Sequence, residues 1–176
     1  MLGLSSYFSS IMNRRLILDS RKAHQKLQRM ALQIYEHNMD ASVILFGIES
    51  GGYAVAQILA GYLKDFAHKD FQVHSLKINK VNPLAEVSIS FDSSLDFKGK
   101  TVIIIDDVQN SGRTMMYAIR SFLDYPLASV QACVLVDRAH PKFPVRCDYV
   151  GLSLSTTLQE HVQVEVNGDA VEVFLS

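Results

Sequence analysis

TVIIIDDVQNSGRT, residues 101–114, runs from a β-branched apolar stretch into two adjacent carboxylates, Asp106 and Asp107, and then into a short polar loop with one glycine. So continuous an apolar run suits a strand covered on both faces. The following RTMMYAIRSFL reads as a helix that stops before Pro126. A buried strand feeding a helix through a short loop is the building unit of a parallel α/β sheet. The same unit stands upstream, where SVILFG is the strand, IESG the turn and GYAVAQILAGYLKDFA the helix.

The rest of the chain extends this pattern. From Ser20 to Asn38, apolar residues at Leu27, Met30, Ala31, Ile34 and Tyr35 form the stripe of a helix with one buried face, with Ser20 as its N-cap. FQVHSLKI, EVSISF, SVQACVLVD and DYVGLSLS read as further strands, and NKVNPLA as a loop. The end, HVQVEVNGDAVEVFL, alternates on both sides of Asn167–Gly168, the signature of an antiparallel hairpin. The fold class is therefore α/β, a parallel sheet flanked by helices, in one domain from 16 to 176. Residues 1–15 read as a loose arm, with Met12 as an alternative start.

Composition bounds the function. At 176 residues and 48% hydrophobic content the chain has material for one real core, and a formal charge of -1 gives no global attraction to nucleic acid or anionic lipid. An anion site must be local. Cys133 and Cys147 lie in apolar surroundings without metal-ligand spacing, the six histidines are scattered, and no stretch reaches membrane-spanning length. These features describe a soluble, reduced, cytoplasmic protein.

In open α/β sheets ligands sit beyond the carboxyl ends of the strands, where loops 47–52 and 106–114 both emerge. The backbone N–H groups of Asn110, Ser111, Gly112, Arg113 and Thr114 open a helix, where unpaired donors and the dipole favour a phosphate. Asp106 and Asp107 repel that phosphate and should face hydroxyls or a metal. A ribose 5-phosphate satisfies both halves, and magnesium, directly or through water, would relieve the carboxylate crowding. The competing readings are an ordinary turn capped by one aspartate, a Walker B strand, for which the chain has no GxxxxGK[ST] loop, and a receiver domain, whose acidic pair belongs nearer the start.

VIIIDDVQNSGRT resembles the motif with which type I phosphoribosyltransferases bind phosphoribosyl diphosphate (PRPP). VLVDRAHPKFPVRCDYVG and STTLQEHVQVEV extend the resemblance to the pyrimidine operon attenuator/uracil phosphoribosyltransferase family, from about Leu16 to the C-terminus. It implies a sheet with a small hood, Mg2+ as cofactor, a homodimer, Asp106 and Asp107 on the ribose hydroxyls, and 110–114 on the 5-phosphate. It further implies a diphosphate loop at Glu49, Ser50, Gly51 and Gly52, with a cis peptide at Ser50–Gly51, and a base site drawn from Arg138, Tyr149 and Val150. The implied reaction joins a nucleobase, uracil foremost, to PRPP and releases diphosphate, with a mobile 79–91 loop closing over it.

The chain departs from the family in two places. Gly51 stands where the uracil-type loop usually has a basic residue, with Glu49 beside it, and LKINKVNPLAEVSIS lacks the Tyr-Arg-Asp-like signature, leaving Lys77 and Lys80 as its cations. A second reading is therefore a non-catalytic PRPP or nucleotide sensor that binds RNA through Arg14, Arg15, Arg21, Lys22 and Lys26. A third is a silent interaction protein on the same fold.

Overall fold

The computed structural model describes residues 14–78, 88–90, 95–155, 157 and 160–176. The remainder of the expected arm (1–13) and most of the expected closing loop, Lys80 included, lie outside the described residues. Among the described residues the elements are β1 (Arg15–Leu18), α1 (Ser20–His37), β2 (Val43–Ile48), α2 (Gly51–Ala67), β3 (Val73–Lys77), β4 (Ser88–Ser90), β5 (Thr101–Gln109), α3 (Arg113–Arg120), β6 (Ser129–Asp137), β7 (Tyr149–Ser153), β8 (Val162–Asn167) and β9 (Ala170–Leu175).

The main sheet has the order β4-β3-β2-β5-β6-β7. β3, β2, β5, β6 and β7 are parallel, and β4 adds an antiparallel edge. β5 sits near the middle, as its unbroken apolar run requires. Its side chains alternate between two cores: Ile103 and Ile105 pack with α1 and α2 on one face, while Val102 and Ile104 pack with α3, Phe97 and Phe122 on the other. This alternation decides where the two aspartates at the end of β5 point.

Two local expectations are corrected. The N-cap of α1 is Asp19, whose Oδ1 accepts from Lys22 N at 2.8 Å. Ser20 is the first helical residue, and its hydroxyl instead accepts from Val171 N at 3.2 Å. The hairpin forms as expected, but Asn167 pairs with Ala170, so the turn residues are Gly168, at φ +58°, and Asp169. The hairpin does not stand alone either. β1, which the sequence pattern did not suggest, pairs antiparallel with β9 to make a second sheet of order β1-β9-β8. Val171 and Val173 of that sheet are fully buried against α1 and α2.

Candidate active site

Residues 49–50 leave β2 and residues 110–112 leave β5, adjacent parallel strands, at the same carboxyl edge; Asp106 and Asp107, which the sequence pattern put in the loop, lie in β5 itself. Each opens a helix whose N-terminus has no side-chain cap: Ser50 precedes α2, and Gly112, at φ +79°, precedes α3. Apart from Arg113 N, which donates to Ser111 Oγ at 3.3 Å, the first-turn N–H groups have no capping side chain and can serve as donors for an anion. Two helix starts of this kind lie on one edge.

The loops touch through glycine. A Cβ on Gly51 would lie 2.2 Å from Asp107 Oδ2, and one on Gly52 would lie 2.4 Å from Ile105 O and 2.8 Å from Asp106 Cα. No side chain fits at 52 while α2 keeps this approach to β5, and one at 51 would have to push the Asp107 carboxylate aside. Sequence reading placed both glycines in the loop but offered no sign of what they press against.

The neighbouring carboxylates point to different places. Asp106, 4% exposed, continues the face of Ile104 and lines a cleft of about 240 Å3 together with residues 110–114. Asp107, half-buried, lies on the opposite face against Gly51. Backbone amides steady both: Asp107 N donates to Asp106 Oδ1 and Val108 N to Asp107 Oδ1, each at 3.0 Å. The crowding expected from the sequence is thus relieved by strand alternation.

The segment after β6 braces the phosphate-type loop. Ser111 O accepts from Lys142 N at 2.9 Å and from Phe143 N at 3.1 Å, and Arg138 N donates to Gln109 O at 2.9 Å. Cys147 Sγ donates to Gln109 Oε1 at 3.1 Å. Burial pushes the Cys147 thiol up to about 12, with Asp137, Asp148 and Asp106 adding to the effect. Sequence reading missed this brace; Pro141 and Pro144, which stiffen the segment, were its one visible signal.

The three base-site candidates separate. Val150 is in register with Val134 and so with Asp106, in one row across the sheet. The Arg138 guanidinium is buried and donates to Thr157 O at 3.1 Å and Glu160 O at 2.6 Å, tying down the segment before β8. Tyr149 is 1% exposed, and its hydroxyl donates to Gln131 Oε1 at 2.9 Å and accepts from Asn38 Nδ2 at 3.1 Å. Its phenol ring belongs to the core, leaving its backbone as the part nearest the row of Asp106.

The expected cis peptide also moves. It lies between Glu49 and Ser50, not between Ser50 and Gly51. Ser50 O already accepts the first helical bond, from Ala54 N at 3.4 Å, so the Ser50–Gly51 peptide belongs to the helix and is trans.

A model of the phosphoribosyl transferase domain matches residues 14–168, a span that includes both loops and the brace. The chain belongs to the phosphoribosyltransferase family. It is 33% identical over 158 residues to the bifunctional protein PyrR of Haemophilus ducreyi, covering 85% of this chain and 88% of that one. It is 34% identical over 162 residues to the bifunctional protein PyrR of Chloroflexus aurantiacus, covering 88% and 89%. In fold, this phosphoribosyltransferase is similar to a hypoxanthine-guanine phosphoribosyltransferase of Bacillus anthracis, with a TM-score of 0.72 at 18% identity over 93% of this chain and 100% of that one. It is also similar to the hypoxanthine phosphoribosyltransferase of Trypanosoma cruzi, with a TM-score of 0.70 at 16% identity over 90% and 95%.

Among the described residues no helix is long and apolar enough to cross a membrane, and no group of three or more His, Cys, Asp or Glu side chains converges as a metal cage. Of the basic stripe near the start, Arg14 pairs with Glu165 at 2.7 Å and Lys22 with Asp19 at 3.7 Å. Part of that stripe's charge is already neutralised.

Proposed function

We propose that this phosphoribosyltransferase transfers the ribose 5-phosphate of PRPP to uracil with Mg2+ and releases diphosphate. The observation that carries the reading is the pair of uncapped helix starts on one sheet edge, each beside an aspartate. PRPP has a phosphate at one end, a diphosphate at the other and hydroxyls between, which is the order these groups would meet. Uracil rests on the sequence resemblance.

Amides and hydroxyls of residues 110–114 would hold the 5-phosphate, and amides at the start of α2 would receive the diphosphate. As the nitrogen of the base bonds to C1, losing its N–H proton to solvent, and the C1–O bond breaks with its electron pair going to the diphosphate, positive charge develops on the ribose ring. Asp106 and Asp107 would hold the ribose hydroxyls and favour that charge, while the α2 amides favour the negative charge on the departing diphosphate. The donor set suits Mg2+, which commonly takes one or two carboxylates plus substrate oxygens and water. Asp107, next to the diphosphate loop, and Asp106 would be its protein contacts, and when bound it would neutralise charge on the leaving group. The same reading makes the protein a cytoplasmic homodimer, as the resemblance implies.

The test is nucleotide formation from PRPP and Mg2+ with uracil, hypoxanthine, guanine, adenine and orotate in parallel, using Asp107→Asn as control. Turnover with uracil that the control loses supports the reading. Turnover with another base overturns the uracil assignment, and saturable PRPP binding without turnover moves the protein to the sensor reading.

A further inference from the structure

The loop that opens α2 offers amides to an anion yet carries a carboxylate and no cation: its residues are Glu49, Ser50, Gly51 and Gly52. Neither glycine supplies a charge: a Cβ at 52 would meet the backbone at Ile105 O and Asp106 Cα, and one at 51 would have to displace the Asp107 carboxylate. Positive charge reaches the loop from the next strand instead. Lys77, the last residue of β3, places Nζ 3.6 Å from Glu49 Oε2, and Glu49 N donates to Leu76 O at 2.9 Å. The parallel pairing of β2 with β3 therefore carries Lys77 to the same carboxyl edge as the loop.

Lys77 is 61% exposed and Glu49 35% exposed at the side chain. A pair this open, at this distance, adds little to folding. Its ammonium is a compact charge on a flexible four-carbon stem, able to change partner at small cost. A carboxylate beside an anion-binding helix start works against the anion unless a cation accompanies it. Glu49 thus serves as the resting partner of a cation whose stronger partner is a multiply charged ligand.

We propose that Lys77 is the cation of the diphosphate subsite, moving from Glu49 to the diphosphate oxygens when the ligand enters. The proposal rests on the phosphoribosyltransferase reading above and adds a residue to it. Lys77 serves the diphosphate end of PRPP alone, because the 5-phosphate end lies at the start of α3 on the other face of the sheet.

Calorimetric titration of the full chain separates the two ends, with magnesium diphosphate as one probe and ribose 5-phosphate as the other. Lys77→Gln is expected to weaken diphosphate binding at least about tenfold, the size of one lost charge-assisted contact, and to leave ribose 5-phosphate within about twofold. Lys77→Arg keeps the charge and should recover most of the loss. Unchanged diphosphate affinity in Lys77→Gln overturns the proposal, as does an equal loss for both probes, which would mean general damage. A wild-type chain that binds neither probe overturns the underlying PRPP reading as well; one that binds both with no effect of Lys77→Gln overturns this proposal alone.

Discussion

Gly52→Ala inserts one methyl where α2 meets β5. The added carbon would sit 2.4 Å from Ile105 O and 2.8 Å from Asp106 Cα, both backbone atoms of the central strand. Reaching ordinary contact at 3.4 Å requires the start of α2 to retreat by about 1 Å, since no flexible side chain can yield. Overpacking of this kind costs about 1–3 kcal/mol, offset by at most about 1 kcal/mol of helix propensity. With the full offset the net loss is about 0–2 kcal/mol, or up to several degrees of melting temperature in a chain of this size. Binding should suffer more, because a displacement of about 1 Å in a positioning loop costs on the order of a hundredfold. Gly61→Ala is the control in the same helix: nothing lies within 4 Å of its added carbon. That variant should gain about 0.5–1 kcal/mol and bind PRPP normally. Thermal melting and PRPP titration of both variants decide the matter. If Gly52→Ala melts like Gly61→Ala, or binds PRPP like the wild type, the close packing of loop on strand is refuted.

Both thiols should be silent in the folded protein, since burial raises Cys133 and holds Cys147 at about 12; a thiol reagent at pH 8 should label neither until urea is added, and fast labelling of native protein would contradict the packing. Burial lowers the His74 imidazole below its ordinary 6.5, and its buried Nε2 has no hydrogen-bond partner among the described residues. The unfolded chain takes up that proton first, so His74 costs nothing above pH 6.5 and removes stability as pH falls from 6.5 to its folded value. His74→Phe should flatten that part of the stability profile, and an unchanged profile would refute the assignment. Asp19→Ala should cost about 1 kcal/mol by urea denaturation through loss of the α1 cap, and no change would show that the bond to Lys22 N is idle.

The parallel sheet was legible because its strands are buried on both faces, so Val102–Ile105 and the upstream Val43–Gly47 announce themselves as apolar runs. The phosphate-type loop was legible because one glycine and adjacent hydroxyls follow two carboxylates at a strand end. β1 was not, because it is only four residues long and its burial runs exposed, exposed, half-buried, buried, with no alternation to read. Its partner β9 is about 155 residues away in the chain. Tyr149 looked available for a base, yet its register with Cys133 and Ile105 turns its ring into the core. That placement depends on strand pairing, which local sequence does not encode. Lys77 was visible as a cation near the loop, but its approach to Glu49 follows only once β3 is known to lie beside β2.

The most direct test of the two-loop site is the affinity for PRPP with Mg2+ of the wild type and Asp107→Asn, measured by titration calorimetry alongside a melting curve. Asparagine keeps the shape that Gly51 packs against and can still accept from Val108 N, so the fold should melt at the same temperature. Wild-type binding should be saturable and fall about ten- to a hundredfold in the variant, the loss expected when hydrogen bonds to a charged acceptor are weakened. Equal affinity in the two proteins, or no saturable binding by the wild type, would contradict the two-loop site.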